Sequence, residues 1–121
     1  TTSDINDFLR NEELTSKPIY ADSAEPRLIS ELRKMGHNIL PSIKGKDSVN
    51  AGIDLLKRYK IHILSTSSNA ITEFRNYKWK EDKGGTLINT PEDKWNHIID
   101  STRYATYSIL SAPNFGKYAL H

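Results

Sequence analysis

Cysteine is absent from this 121-residue sequence, which excludes disulfide bonds and thiolate metal sites. Any metal ion must therefore be bound by Asp, Glu or His side chains, and this ligand set favours a hard, oxygen-bound ion such as Mg²⁺ or Mn²⁺. No apolar run approaches the roughly 20 residues that span a bilayer, so we expect no membrane contact. A Gly-x-x-x-x-Gly-Lys-Ser/Thr loop is also missing, which excludes a P-loop motor ATPase from these residues.

The composition is that of an ordinary globular protein, with 36% hydrophobic and 26% charged residues. The length suits one domain, so we predict a single domain over residues 1–121 with a loose tail at 111–121. The formal net charge of +2 is a weak indication of a nucleic-acid partner, because many proteins without a polyanionic partner share it.

The spacing of apolar, proline and glycine residues predicts alternating helices and strands. Strands are predicted over residues 18–22, 38–43 and 61–64, and a loop or hairpin over 80–89. Helices are predicted over residues 3–14, 26–35 and 69–77, from residue 47 or 48, and from Thr90 to about Leu110. This order predicts an α/β fold in which helices cover a parallel sheet, with ligands beyond the carboxyl ends of the strands.

Three residues in this pattern are candidates for metal chemistry. His97 and Asp100 are three residues apart in the last predicted helix and therefore share a face, opposite an apolar stripe. Asp22 ends the first predicted strand. The alternative interpretations are a solvated polar face for the His97–Asp100 pair and a helix cap or turn for Asp22.

Other polar and aromatic residues have weaker signals. Lys44 and Lys46 flank Gly45 in a strand-to-helix turn, where they could neutralise DNA phosphates or form a solvated turn. Tyr77 and Trp79 could stack on bases, although packing of the hairpin base onto the domain is the commoner role. Glu73 is interpreted as a surface charge, and the 80–89 hairpin could gate a cleft.

Four ordered motifs carry a resemblance to a known family. The sequence around Asp22 (Tyr-Ala-Asp-Ser-Ala-Glu-Pro-Arg) is similar to the second acidic motif of the nuclease domain of tailed-bacteriophage large terminases. The Asn-His-Ile-Ile-Asp-Ser-Thr-Arg-Tyr-Ala run resembles the last motif of that family. The remaining two motifs are the strand-turn-helix at 43–49 with Gly52 and Ile53, and the Tyr-x-Trp segment at 76–79. The resemblance covers roughly residues 3 to 106.

This resemblance implies an RNase H-like fold, with a mixed sheet flanked by helices and a β-hairpin before the last helix. It implies a metal-dependent endonuclease that cuts double-stranded DNA during phage genome packaging, by two-metal hydrolysis with two Mg²⁺ or Mn²⁺ ions. Asp22 and Asp100 match metal-binding carboxylates, and His97 matches a histidine beside the metal site. The implied partners are DNA, a terminase ATPase domain, the small terminase subunit and the portal, in the cytoplasm of the host bacterium.

One departure from the family pattern bears on activity. The family's first carboxylate lies on the first strand of its sheet, and this sequence contains no such strand, so we expect a fragment of a longer protein. That missing carboxylate leaves the activity of these residues alone in question. Two rival functions stay open: a non-catalytic DNA-binding or docking module, and another RNase H-like enzyme such as a junction resolvase or integrase-like protein.

Overall fold

The computed structural model describes residues 1–45 and 47–111, so Lys46 and most of the predicted tail lie outside the described residues. The chain separates into two compact units, Thr1–Gly45 and Lys46–His121. The prediction of a single domain stays a prediction. The first unit contains α1 (Thr2–Asn11), β1 (Ile19–Ala21), α2 (Pro26–Lys34) and β2 (Ile39–Pro41). The second contains α3 (Ser48–Lys57), α4 (Ser68–Asn76), β3 (Trp79–Glu81), β4 (Leu87–Pro91) and α5 (His97–Leu110).

In the first unit, β1 and β2 form a parallel pair connected by α2. Proline at the first position of α2 fits the helix because its missing N–H needs no partner there. Gly36 follows α2 with φ +97°, a left-handed conformation that favours glycine and ends the helix. The buried core consists of Ile29 and Leu32 from α2 and Ile39 from β2. This core fixes α2 against the strands. Because the two strands are parallel, both end at the same edge of the unit.

Helix α1 packs on α2 and is shorter than the sequence predicted. Its N-cap is Thr1, whose hydroxyl accepts a hydrogen bond from the Asp4 N–H. Polar contacts connect α1 to the rest of the unit: Thr2 donates to Glu31, Arg10 donates to the Met35 carbonyl, and Asn6 lies 2.7 Å from the buried His37 ring. These contacts hold α1 on the side of the unit formed by α2.

In the second unit, α5 packs against both α3 and α4, and its Ile99 is buried with Ile53 and Leu55 of α3. The predicted hairpin is confirmed, because β3 and β4 pair antiparallel with an irregularity between Trp79 and Glu81. The described residues thus form one parallel and one antiparallel two-stranded sheet. No helix among them is long and apolar enough to cross a membrane.

Two predicted elements are wrong. Within the described part of the chain, residues 61–64 form neither strand nor helix, and Leu64 is 74% exposed. An apolar run becomes a strand only when a neighbouring strand satisfies its backbone groups, and these residues pair with none of the described strands.

The start predicted for the last helix is the second error. Thr90 and Pro91 belong to β4, and α5 begins only at His97. The sequence Thr-Pro-Glu-Asp has the local features of a helix start, but Pro91 is the partner of Trp79 in the hairpin. The left-handed conformation of Trp95, at φ +56°, then separates the hairpin from the helix. Pairing between distant residues has overridden the local signal.

Candidate functional site

Asp22 lies directly after β1, at the carboxyl end of the parallel pair. Its Oδ1 accepts a hydrogen bond from the Ala24 N–H at 2.9 Å, and its carbonyl oxygen accepts one from the Glu25 N–H at 3.0 Å. Asp22 therefore occupies a turn, which was the alternative interpretation of this residue. The side chain is nevertheless 39% exposed, so the carboxylate is accessible from solvent while the turn fixes its position.

Lys44 reaches the same carboxylate from the neighbouring strand end. Its Nζ lies 2.7 Å from Oδ1 of Asp22. Parallel strands place their carboxyl ends side by side, and the Ser42 N–H donates to the Ala21 carbonyl at 2.7 Å, which keeps the two chain segments together after the strands. Asp22, a predicted metal ligand, and Lys44, a predicted DNA contact, thus form one ion pair. Lys46 lies outside the described residues.

The second group of candidate residues is at the start of α5, and a buried carboxylate of α4 caps that helix. Oε1 of Glu73 accepts hydrogen bonds from the N–H groups of Ile98 at 2.8 Å and Ile99 at 3.2 Å. Glu73 is only 8% exposed, so its interpretation as a surface charge is wrong. A carboxylate stabilises a helix N-terminus both by satisfying its N–H groups and by opposing the helix dipole. Glu73 therefore fixes the first turn of α5, where His97 begins the helix.

His97 and Asp100 lie one turn apart on α5, as the sequence predicted. His97 is exposed and lines a cavity of about 630 Å³ together with Glu73 and Trp95. Burial raises the pKa of the Asp100 carboxyl above its usual value, while Arg103 and His97 oppose that rise. A partly buried carboxylate beside an exposed imidazole is a donor set that a divalent cation would stabilise in its ionised form.

Arg103 is a residue whose role sequence reasoning missed. Its Nη2 lies 3.4 Å from Oδ1 of Asp100, and its guanidinium carbon lies 5.0 Å from the centre of the Tyr104 ring. The side chain is buried and passes directly over Gly52 of α3. Arg103 belongs to the last of the four motifs that resemble the family. Its position three residues after Asp100 was the one signal in the sequence that could have indicated a contact between the two side chains. The burial of Glu73 had no comparable signal in the sequence.

The candidate ligands are divided between the two units. Asp22 belongs to the first, and His97 and Asp100 belong to the second. Over residues 1–45 and 47–111, neither unit contains a group of three or more His, Asp or Glu side chains placed to hold a metal ion.

Comparisons with known proteins give a consistent result. A family model described as terminase RNase H-like domain matches residues 1–107. The large terminase subunit of Bacillus phage SPP1 is 44% identical over 105 residues, covering 82% of this chain and 24% of that protein. The PBSX phage terminase large subunit of Bacillus subtilis strain 168 is 30% identical over 109 residues, covering 87% and 24%. This chain therefore spans about a quarter of the length of these curated relatives.

A solved structure is similar as well. The crystal structure of the large terminase nuclease domain from bacteriophage SPP1, with bound Mn, matches with a TM-score of 0.77 and 38% identity. The match covers 88% of this chain and 62% of that chain. At this identity the similarity extends beyond backbone topology, and it confirms the predicted RNase H-like α/β fold class. The match covers only part of the solved domain, which agrees with the expectation of a partial domain.

Proposed function

Since this chain belongs to the terminase RNase H-like domain family, we propose that it contributes to a metal-dependent endonuclease that cuts double-stranded DNA during phage genome packaging. The observation that carries this proposal is the match to a terminase nuclease domain with bound Mn, at 38% identity. Asp22 and Asp100 are the proposed metal ligands, and His97 is proposed as a third ligand or as a proton carrier beside them. The proposed cofactors are two Mg²⁺ or Mn²⁺ ions.

The chemistry of the donors fits hard divalent cations. The Asp22 carboxylate already has a cation, the Lys44 ammonium, at 2.7 Å, and it is accessible from solvent. Asp100 is partly buried, and a divalent cation would offset the burial that disfavours its charged form. When bound, such ions would activate a water molecule for attack on the phosphodiester and stabilise the leaving oxygen.

The other residues would prepare this site. The turn at Asp22 holds one carboxylate at a strand end, and the Glu73 cap fixes the helix turn that begins with His97. The imidazole of His97 is exposed to solvent, so it could take up or release a proton beside the metal site. Lys44, with Lys46, would contact DNA phosphates without reading base sequence.

The proposed partners follow from the family. They are double-stranded DNA, a terminase ATPase domain, the small terminase subunit and the portal, in the cytoplasm of the host bacterium. The relatives are named as large terminase subunits, and this chain spans 24% of their length, so ATPase and portal contacts would involve other parts of such a protein.

The decisive experiment combines metal binding with DNA cleavage. The chain would be titrated with Mn²⁺ and then incubated with supercoiled and linear duplex DNA, with and without Mn²⁺ or Mg²⁺. Asp22→Asn and Asp100→Asn should each weaken Mn²⁺ binding and abolish any metal-dependent cleavage, because the neutral amide removes the negative charge that holds the cation. Exposed aspartates on other helices supply matched controls, Asp7→Asn in the first unit and Asp54→Asn in the second.

The outcomes separate the proposal from its rivals. Wild-type affinity and cleavage in both ligand variants would end the assignment of Asp22 and Asp100. Metal-independent DNA binding by a chain that binds no Mn²⁺ would favour the docking module. Preference for branched over linear duplex DNA would favour a junction resolvase.

A further inference from the structure

Arg103 is buried although its hydrogen bonding is incomplete. The side chain is 6% exposed, and within the described residues its buried Nε–H has no hydrogen-bond partner. Arg103 forms an ion pair with Asp100, at the long distance of 3.4 Å. Burying a charged group with imperfect pairing costs stability, so such an arrangement is weak evidence for a stabilising role. This placement needs another explanation.

Gly52 on α3 makes room for Arg103. A Cβ atom at position 52 would lie 2.4 Å from Cγ and 2.7 Å from Cδ of Arg103. Real Cβ contacts are essentially never that short, so any larger residue at position 52 would push the arginine stem aside. Glycine is unfavourable inside a helix relative to alanine, and here it permits a close approach of one helix to the side chain of another.

The guanidinium is held from a further side. The Tyr104 ring lies 5.0 Å from the guanidinium carbon, within the range of a cation–π contact. Gly52 lies against the aliphatic part of the Arg103 side chain, and Tyr104 lies beside its guanidinium. Together they restrict where the Nη atoms can lie. The position that results places Nη2 next to the Asp100 carboxylate.

We propose that Arg103, seated over Gly52, is a positioning residue that fixes the orientation of the Asp100 carboxylate for metal binding. This inference rests on the proposed metal-binding function of Asp100. Arg103 itself is too buried to contact a DNA phosphate, so it acts through Asp100. Residues that orient metal ligands typically change metal affinity or activity by about 10- to 100-fold when replaced.

Gly52→Ala is the sharpest test, because it displaces the guanidinium and preserves every charge. We expect Gly52→Ala to weaken Mn²⁺ binding by roughly tenfold in a calorimetric titration. Gly84→Ala is the matched glycine control, since the nearest atom to its added Cβ is a side-chain oxygen of Asp82 at an acceptable 3.4 Å. Leu55→Ala is the stability control, because it truncates the core of the same unit. Both controls should retain wild-type Mn²⁺ affinity when folded.

A double-mutant cycle separates positioning from a general structural defect. If Gly52→Ala acts through the arginine, adding it to Arg103→Ala should cause no further loss of Mn²⁺ affinity or of melting temperature. Equal effects of Gly52→Ala in both backgrounds would overturn the steric link. Arg103→Lys keeps the charge and the aliphatic stem but lacks the planar fork, so it tests positioning even if Gly52→Ala fails to fold.

Arg103→Lys should also bind Mn²⁺ several-fold more weakly than the wild type, in line with the effects of other ligand-orienting residues. Wild-type affinity in folded Arg103→Lys, or in folded Gly52→Ala, would overturn the inference while leaving the proposed function intact. A wild-type chain that binds no Mn²⁺ would overturn the proposed function and the inference with it.

Discussion

The ammonium of Lys44 lies 2.7 Å from the Asp22 carboxylate, at the neighbouring carboxyl ends of two parallel strands. A lysine and a divalent cation would compete for the same oxygen atom. Both side chains are substantially exposed, so the pair is screened by solvent and contributes modestly to stability. The ion pair places a proposed metal ligand, Asp22, next to a residue proposed to contact DNA, Lys44.

Lys44→Ala should increase the affinity of the chain for Mn²⁺. The ion would no longer need to displace an ammonium from Asp22, and exposed pairs of this type are worth up to about 1 kcal/mol, which corresponds to roughly fivefold in affinity. Calorimetric titration at fixed ionic strength measures the change, with the exposed Lys17→Ala as control. A weaker Mn²⁺ affinity in Lys44→Ala would contradict the competition.

The Lys44→Ala/Lys46→Ala double variant should bind duplex DNA with a weaker dependence on salt. Each phosphate contact that is lost lowers the slope of log affinity against log salt concentration by about 0.9. Fluorescence anisotropy over a series of salt concentrations measures the slope, and Lys17→Ala/Lys34→Ala removes equal charge elsewhere. An unchanged slope in the first double variant would remove these lysines from the DNA interface.

The stability of the metal-free protein should depend on Asp100. Its pKa is raised in the folded state, first by burial, so the folded protein binds this proton more tightly than the unfolded chain does. The resulting stabilisation is complete below the usual value of 3.8 and is lost as pH rises through the folded-state pKa. Relative to wild type, the effect of Asp100→Asn on the free energy of unfolding should therefore be more favourable at pH 7 than at pH 3.

Chemical denaturation in EDTA at the two pH values tests this dependence on Asp100. The control is Asp54→Asn, which replaces an exposed aspartate of the same unit. A difference between Asp100→Asn and wild type that is the same at both pH values would contradict the direction of the shift.

Glu73→Ala should destabilise the chain by about 1–2 kcal/mol, because the Ile98 and Ile99 N–H groups would lose their buried acceptor. Glu73→Gln retains a side-chain oxygen and should lose less. Denaturant titration measures both, and Glu81→Ala on the exposed part of β3 is the matched control. If Glu73→Ala were as stable as Glu81→Ala, the cap would have no energetic role.

Local sequence signals predicted the elements that depend on neighbouring residues. Pro26 and Gly36 delimit α2 because their backbone preferences act at the position itself. The Gly84-Gly85 pair likewise indicated the turn of the hairpin, where Gly85 has φ +79°. The predicted strand at residues 61–64 failed because strand formation depends on a partner elsewhere in the chain.

In the candidate site, too, the features set by neighbouring residues were predicted and those set by distant residues were not. The shared face of His97 and Asp100 followed from helical spacing, and Asp22 followed from its place after a strand. The Glu73 cap and the seat of Arg103 on Gly52 are contacts between elements distant in sequence. Such contacts arise only when the helices pack, so residue spacing alone could not reveal them.

The most direct measurement is an anomalous difference map from crystals of the chain soaked in Mn²⁺. Manganese peaks are expected within coordination distance of the carboxylates of both Asp22 and Asp100, with His97 beside them. Manganese bound at other residues, with these two carboxylates facing separate surfaces, would contradict the proposed metal site.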